Sequence, residues 1–444
     1  MKRKVIRSSL LLLVLFSPFV IWRLWLWYNL NNQLAAIRAD GLPTNAKELD
    51  RWYPAVPANQ NAALVLTQAI SGCDLKSGGK TIWDFKLPAR GKKLSSAQAD
   101  LLRRQIELDT TALAKADEAI RLSASRYPID FSMGFNTALP HLAYLKRFAV
   151  LHQVKAALDI EAGEFANAST NIDSMLGLAR TLDSEPCLIS QLVRLMIIRI
   201  AVTTLERRIG SGPIDGLEVT NLVAAFEQTP EATSQLVKAL IGERAMVASL
   251  FSMNKEDAVR MLELAKNKEE EQNFPRHRAL PLRVAGFYDL DEGFFLYAMG
   301  RGIELVEGSW NMRAANYLMK AGEKAQERYY LASSQTLSAY GASIPRQIEG
   351  DALTRLAITA LAVEQFRNQK GHLPETLEML EPEFLADIRE DPFDGEPLRY
   401  RRLAKGYVLY SVGGDREDNH GKEMPEPKAS PIKKGYDVTF TVER

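Results

Sequence analysis

From Ser8 to Trp22 the chain is apolar and carries no charge, and Lys2, Arg3, Lys4 and Arg7 stand immediately before it. A basic tip ahead of an uncharged apolar run predicts a membrane-targeting helix. At a rise of about 1.5 Å per residue this run reaches roughly 22 Å, short of a roughly 30 Å hydrocarbon core. Arg23 is the one charge between this run and a second apolar stretch. With that side chain snorkelling, the helix continues through Trp25, Trp27 and Tyr28 to Leu30, and its length of about 34 Å suffices for one span with aromatic rings at headgroup depth. No small-x-small cleavage pattern follows Trp22, so an uncleaved anchor is expected rather than a signal peptide. The basic tip places the N-terminus in the cytoplasm and the bulk of the chain outside it, which in a bacterium means an inner-membrane anchor and a periplasmic body.

Residues 1–40 thus read as tip and anchor, 41–345 as an α-helical periplasmic domain, and 346–444 as a smaller α+β domain. Asp40 to Asn61, with Pro43, Pro54 and Pro57, is a loop or short helix that Trp52 and Tyr53 pin to the body. A second loop runs from Ser71 to Ser96, and a helix capped by Ser95 or Ser96 continues to about Ile120. Leu142, Leu145, Phe148 and Leu151 fall at helical spacing, as do Phe165, Ala168, Ile172, Met175 and Ala179 beyond a turn at Gly163. The order Ala156, Leu158, Gly163, Phe165, Ala168 resembles the small-large pattern of tetratricopeptide-type hairpins in a single copy; an ordinary helix pair fits the same residues. A helix from Leu188 to Arg208 is apolar nearly all round, which predicts the centre of a bundle and obliges Arg194 and Arg199 to find partners. Further helices are expected at about 216–228, 232–268, 290–307 and 310–340. Lys266 to Glu271 reads as a solvated helix end, Arg276, His277, Arg278 and Arg283 as a basic linker, and Ile344-Pro345 as the end of the helical region.

After Pro345 one helix from about Ile348 to Gln369 gives way to short alternating runs. Leu398–Arg402 and Tyr407–Val412 predict a hairpin closed at Gly406, and Asp437–Val442 predicts a third strand with Val438, Phe440 and Val442 on one face. The expected unit is a helix over one face of a small antiparallel sheet, and the fold class is mainly α with this C-terminal α+β unit.

Here the residues resemble a family. Ala362, Phe366, Asn368, Gly371, His372, Leu373 and Pro374, then Leu377 and Leu380, are similar to the helix exit of the major pseudopilins of type II secretion. Asp391-Pro392-Phe393-Asp394-Gly395-Glu396-Pro397 resembles that family's Asp-Pro-Trp-Gly-x-Pro turn, and Gly406-Tyr407 through Gly413 and Asp415 its strand and loop. The turn needs a fixed φ at Pro392 and a positive φ at Gly395. The resemblance implies a pseudopilin-like head and a calcium ion held by an Asp-rich loop, for which Asp415, Asp418 and Asp437 are the candidate ligands beside Glu417 and Asn419. Calcium takes six to eight oxygen ligands. Arg416 and the insertion from Lys422 to Lys434 depart from the pattern, so a calcium site and a solvated acidic turn both stay open. The start of the chain also lacks the pseudopilin leader and its Glu, which removes the route to an ordinary pilus subunit.

Composition adds exclusions. The 444 residues carry a formal net charge of +1, which gives no bulk attraction to nucleic acid. Hydrophobic residues at 46% and charged ones at 25% match folded domains rather than disordered or polytopic membrane chains. An oxidising compartment permits a bridge between Cys73 and Cys187, although cysteines so far apart are more often independent thiols. Ser77-Gly78-Gly79-Lys80-Thr81 lacks the first Gly of a phosphate loop and the strand before it. His141, His152, His277, His372 and His420 form no metal-ligand spacing, and no nucleophile elbow or dinucleotide fingerprint occurs. Asp289, Asp291 and Glu292 are candidate paired carboxylates, with the alternative that acidic residues in a first turn simply favour the helix dipole. Three functions are consistent with these features: a membrane-anchored interaction protein of an envelope or secretion-type assembly, an anchored periplasmic enzyme with a cleft at those carboxylates, and a calcium-dependent binding module.

Overall fold

The computed structural model describes residues 2–71, 85–86, 88–252, 285–308, 311–425 and 434–444. Cys73, the Ser77–Thr81 segment, Lys266–Glu271, the basic linker of residues 276–283 and most of the insertion after Lys422 lie outside the described residues.

The protein is mainly helical, with one small sheet at its C-terminal end. Helix α1 (Lys2–Ala39) is a single long helix that continues through Pro18 and Arg23. Arg23 does not extend freely along it, because its guanidinium forms an ion pair with Asp289 of the body. After α2 (Ala46–Trp52), which Asn45 caps by accepting the Glu48 amide, Tyr53 is buried as expected. Helix α3 (Ala62–Ser71) stands where no helix was expected: its continuous apolar run Ala62–Leu66 shows no alternation of apolar and polar positions at helical spacing. Helix α4 (Ser96–Ala119) opens with a full capping box between Ser95 and Gln98.

The hairpin of α5 (His141–Ala162) and α6 (Phe165–Arg180) turns at Gly163 as expected, and its φ of 81° makes it a left-handed cap. Helix α7 (Leu188–Ser211) is, among the described residues, the helix long and apolar enough to cross a membrane, yet 61% of its most apolar stretch is buried. It packs against α5 and α6 as the centre of the bundle. Its arginines are partnered as required: Arg194 with Asp183 at 2.6 Å and the Pro230 carbonyl at 2.7 Å, Arg199 with Glu349. Helices α8 (Gly216–Glu227), α9 (Ala232–Ser252), α10 (Phe287–Glu307) and α11 (Asn311–Glu327) complete this part.

Two expectations need correction. The helix expected over 310–340 breaks at Arg328–Tyr330, and no break occurs at Pro345: α12 (Leu331–Lys370) runs straight through it. A proline lacks only one N–H, and here the Ser343 hydroxyl donates to the Tyr340 carbonyl while both neighbouring faces of α12 are buried, so tertiary packing overrides the local stop signal. The boundary expected between 345 and 346 therefore falls inside one helix.

Strands β1 (Arg399–Arg402), β2 (Tyr407–Ser411) and β3 (Val438–Val442) form an antiparallel sheet in the order β1-β2-β3, with Leu409 opposite both Tyr400 and Phe440. The C-terminal half of α12 covers one face of it. A single hydrophobic cluster extends from Ala62 through the helical bundle to Val442, so helices and sheet share one core.

Candidate functional site

The sheet leaves the outer edge of β3 facing α7. In the pairing of β2 with β3, Val438, Phe440 and Val442 face their partners, and the Thr441 N–H points outward to the Glu206 carboxylate at 2.8 Å. Strand alternation then puts the backbone groups of Thr439 and Glu443 on the same open edge. Along it runs a groove of about 880 Å³ between α7, the end of α5 and the loop 88–93, and a second hollow of about 350 Å³ shares its Thr203, Glu206, Glu423 and Met424 walls.

The groove is built from residues far apart in the chain. Arg90 donates to Glu206 and to Glu423, each at 2.8 Å, and so ties the loop, α7 and the segment before β3 together. Arg207 donates to the carbonyls of Pro88 (3.1 Å) and Lys92 (3.0 Å), and Glu161 accepts the Leu94 amide at 2.6 Å. Burial pushes the Glu206 carboxyl up to about 7, against the pull of Arg90 and the Thr441 amide. The second hollow is more apolar, with Leu192, Leu195, Met196 and Leu353 on its walls. Such a site offers an edge strand, an apolar shelf and charged groups already committed to one another. It is suited to holding an extended backbone.

The residues singled out from sequence go elsewhere. Asp289 faces α1 through Arg23, whereas Asp291, buried at the other side of α10, accepts the amides of Ala332 (3.0 Å) and Ser333 (3.2 Å) and the Ser333 hydroxyl at 2.5 Å. Asp291 thus caps α12. Glu292 is half-buried, and desolvation first, then Asp289 and Asp291, push its carboxyl up to about 7. The two aspartates serve two different helix contacts rather than one cleft.

Asp415 accepts the amides of Glu417 (3.2 Å) and Gly435 (2.7 Å), Asp418 that of His420 (2.7 Å), and Asp437 those of Asn419 (3.3 Å) and Gly421 (2.7 Å). Asp415 and Asp418 form Asx turns, while Asp437 and the second oxygen of Asp415 tie the loop to the segment before β3. Among the described residues, no three Asp, Glu, His or Cys side chains gather to hold a metal ion. The Asp391-Pro392 turn is better knit: Asp391, fully buried, accepts Phe393 N–H (3.0 Å), Val412 N–H (2.8 Å), the Ser411 hydroxyl (2.8 Å) and Arg399 (2.7 Å). Gly395 has the positive φ, 82°, that this turn requires.

A second polar cluster lies in the core. His141 Nε2 is 3.0 Å from Glu185, the Ser190 hydroxyl donates to the same carboxylate, and the His141 ring stacks on Tyr127 at 4.0 Å. Glu185 and Ser190 are fully buried, so this chain cross-ties α5, α7 and the segment between α6 and α7. His152 bonds Asn171 at 2.9 Å, and Cys187 is buried and has no disulfide partner among the described residues.

Sequence reasoning missed Arg90, Glu206 and Glu423, and no local signal marks them: they are single charged residues whose meaning arises only when loop, helix and strand edge meet. No known family model, no curated protein and no solved structure matches the chain.

Proposed function

We propose that this chain is a membrane-anchored interaction protein, whose helical body carries a small pseudopilin-like head and whose groove beside β3 receives an extended segment of a partner protein in an envelope or secretion-type assembly. The observation that carries the reading is the open outer edge of β3, lying along a groove of about 880 Å³. An unpaired edge is a template for strand addition, and although α7 covers this edge at Thr441, Thr439 and Glu443 line the two hollows beside it. Here Glu206 supplies the acceptor that a neighbouring strand would bring to Thr441.

Anchoring is supported by α1. Phe16, Val20, Ile21, Leu24, Trp25, Trp27 and Tyr28 are all exposed on it, the largest such stretch in the described residues, whereas the body helices bury their apolar faces. A stripe of this kind calls for lipid or another apolar surface.

The test is selection of peptides from a random displayed library on the detergent-solubilised full chain, repeated on Thr439→Pro. Proline at an outward-facing edge position keeps the β2–β3 ladder but removes the donor that an added strand needs. The reading expects extended peptides that bind the native chain and lose at least tenfold in affinity on the variant. Peptides that bind both equally would place recognition elsewhere.

A further inference from the structure

The way α1 meets the body says where the bilayer surface lies. Trp22 Nε1 donates to the Ala285 carbonyl at 3.3 Å, Arg23 pairs with Asp289, and Arg23 and Leu26 fill the space beside Gly286, where a Cβ would collide with both. Farther along, Gln33 lies against Gly293. Helices α1 and α10 therefore run side by side in the same sense, with the first turn of α10 abreast of Trp22–Leu26. A body helix that carries Asp289, Asp291 and Glu292 beside Arg23 stays out of the hydrocarbon, so the water-side boundary falls near Trp22 rather than at Leu30, and the short run that remains is matched by local thinning of the bilayer with the basic tip snorkelling at the other face. Trp25, Trp27 and Tyr28 then occupy the headgroup layer.

A second element reaches the same level. The Tyr330 ring packs on Phe287 (5.6 Å) and Phe294 (5.4 Å), and Asp291 holds the amides just beyond it, so the turn between α11 and α12 stands beside the first two turns of α10. The residue at its tip is Tyr329, 78% exposed and in the left-handed region at φ 58°, a conformation that favours glycine. Arg328, also exposed, lies over the Phe294 ring at 5.7 Å. A protruding aromatic next to a cation, held in an uncommon backbone conformation at the depth of a Trp/Tyr belt, has the chemistry of a headgroup contact.

We infer that the Arg328–Tyr329 turn is a second membrane contact, seated on the phospholipid headgroup layer beside α1, so that the body stands on the bilayer in one orientation. The inference rests on the proposed reading of α1 as a membrane span. With α12 rising from this turn, its 40 residues put the far end of the helix about 60 Å from the surface when it stands upright, with the sheet along the C-terminal half of that length.

The experiment uses the full chain with Cys73→Ser and Cys187→Ala, reconstituted into phosphatidylcholine vesicles containing one-third phosphatidylglycerol. An environment-sensitive fluorophore is attached at Tyr329→Cys or, as a control beyond the far end of α12, at Met379→Cys; both native side chains are exposed. The expected result is carbonate-resistant association of both proteins, with the label at 329 blue-shifted, quenched by headgroup-region spin-labelled lipid and shielded at least threefold from iodide relative to 379. Carbonate-resistant protein with equal iodide quenching at both positions overturns the seating and leaves the anchor standing. Loss of both proteins in the carbonate wash overturns the anchor and the seating with it.

Discussion

Glu206 shows how one residue sets a pH dependence. Its carboxyl is raised from 4.5 to about 7, chiefly by burial, so the folded protein holds the proton more tightly than the unfolded chain does. Its contribution to stability is complete below pH 4.5 and is lost as pH rises through 7. Glu206→Gln keeps an acceptor for Thr441 and Arg90 without the charge. Thermal melts of the detergent-solubilised chain should show the variant level with the native protein at pH 5 and more stable by about 1–2 kcal/mol at pH 8. Part of the slope survives in both, because Glu292 (about 7) and Asp351 (about 6) are raised in the same sense. Asp391 is raised by burial as well, but it is encircled by donors from Phe393, Ser411, Val412 and Arg399. Asp391→Asn turns an NH2 group toward those donors and should cost about 3 kcal/mol in the same melts. The Asp-Pro turn was legible in the sequence and the φ at Gly395 with it; that Asp391 is its hub was not, since Ser411 and Arg399 reach it only once the hairpin has formed.

At the scale of elements, legibility followed the strength of local signals. The capping box at Ser95, the left-handed Gly163 and the strand alternation of Val438, Phe440 and Val442 each act within a few residues, and each element stands where that signal puts it. Helix α12 departs from its local signals because Pro345 is a stop that burial outweighs, while the true break at Arg328–Tyr330 carries no Gly or Pro at all. Close helix approaches are likewise invisible locally. At Gly242 of α9 a Cβ would lie 1.9 Å from the Pro186 carbonyl oxygen, beside Glu185 and Cys187, whereas at Gly300 of α10 it would meet nothing within 4 Å. Gly242→Ala should therefore destabilise by about 1–3 kcal/mol through forced separation of α9 from that segment. Gly300→Ala should gain about 0.5–1 kcal/mol from helix propensity alone. Equal effects from the two, measured by urea unfolding, would mean that the α9 contact yields without strain.

At the scale of the whole molecule, the head and the body are tied by more than a shared helix. Arg355 on α12 bonds Glu231 (2.8 Å) and the Glu390 carbonyl (2.8 Å), Asn368 reaches the Ile214 carbonyl, Arg90 holds Glu423, and Glu206 holds Thr441. The apolar cluster runs without interruption from α3 to β3. A fragment of residues 346–444 would cut α12 next to Pro345, expose the faces of Ile348, Leu356 and Val363 that now pack on the bundle, and keep only a three-stranded sheet with one helix. So small a core is marginal by itself. The expected outcome is a fragment without cooperative unfolding or protected amides, beside a full chain that melts in one transition. A fragment that folds cooperatively would restore the boundary expected at Pro345 and make the head a separable module. The distinction bears on function: a groove walled by both α7 and β3 exists only where head and body are one unit, so a partner bound there would sense the integrity of head and body together rather than of the head alone.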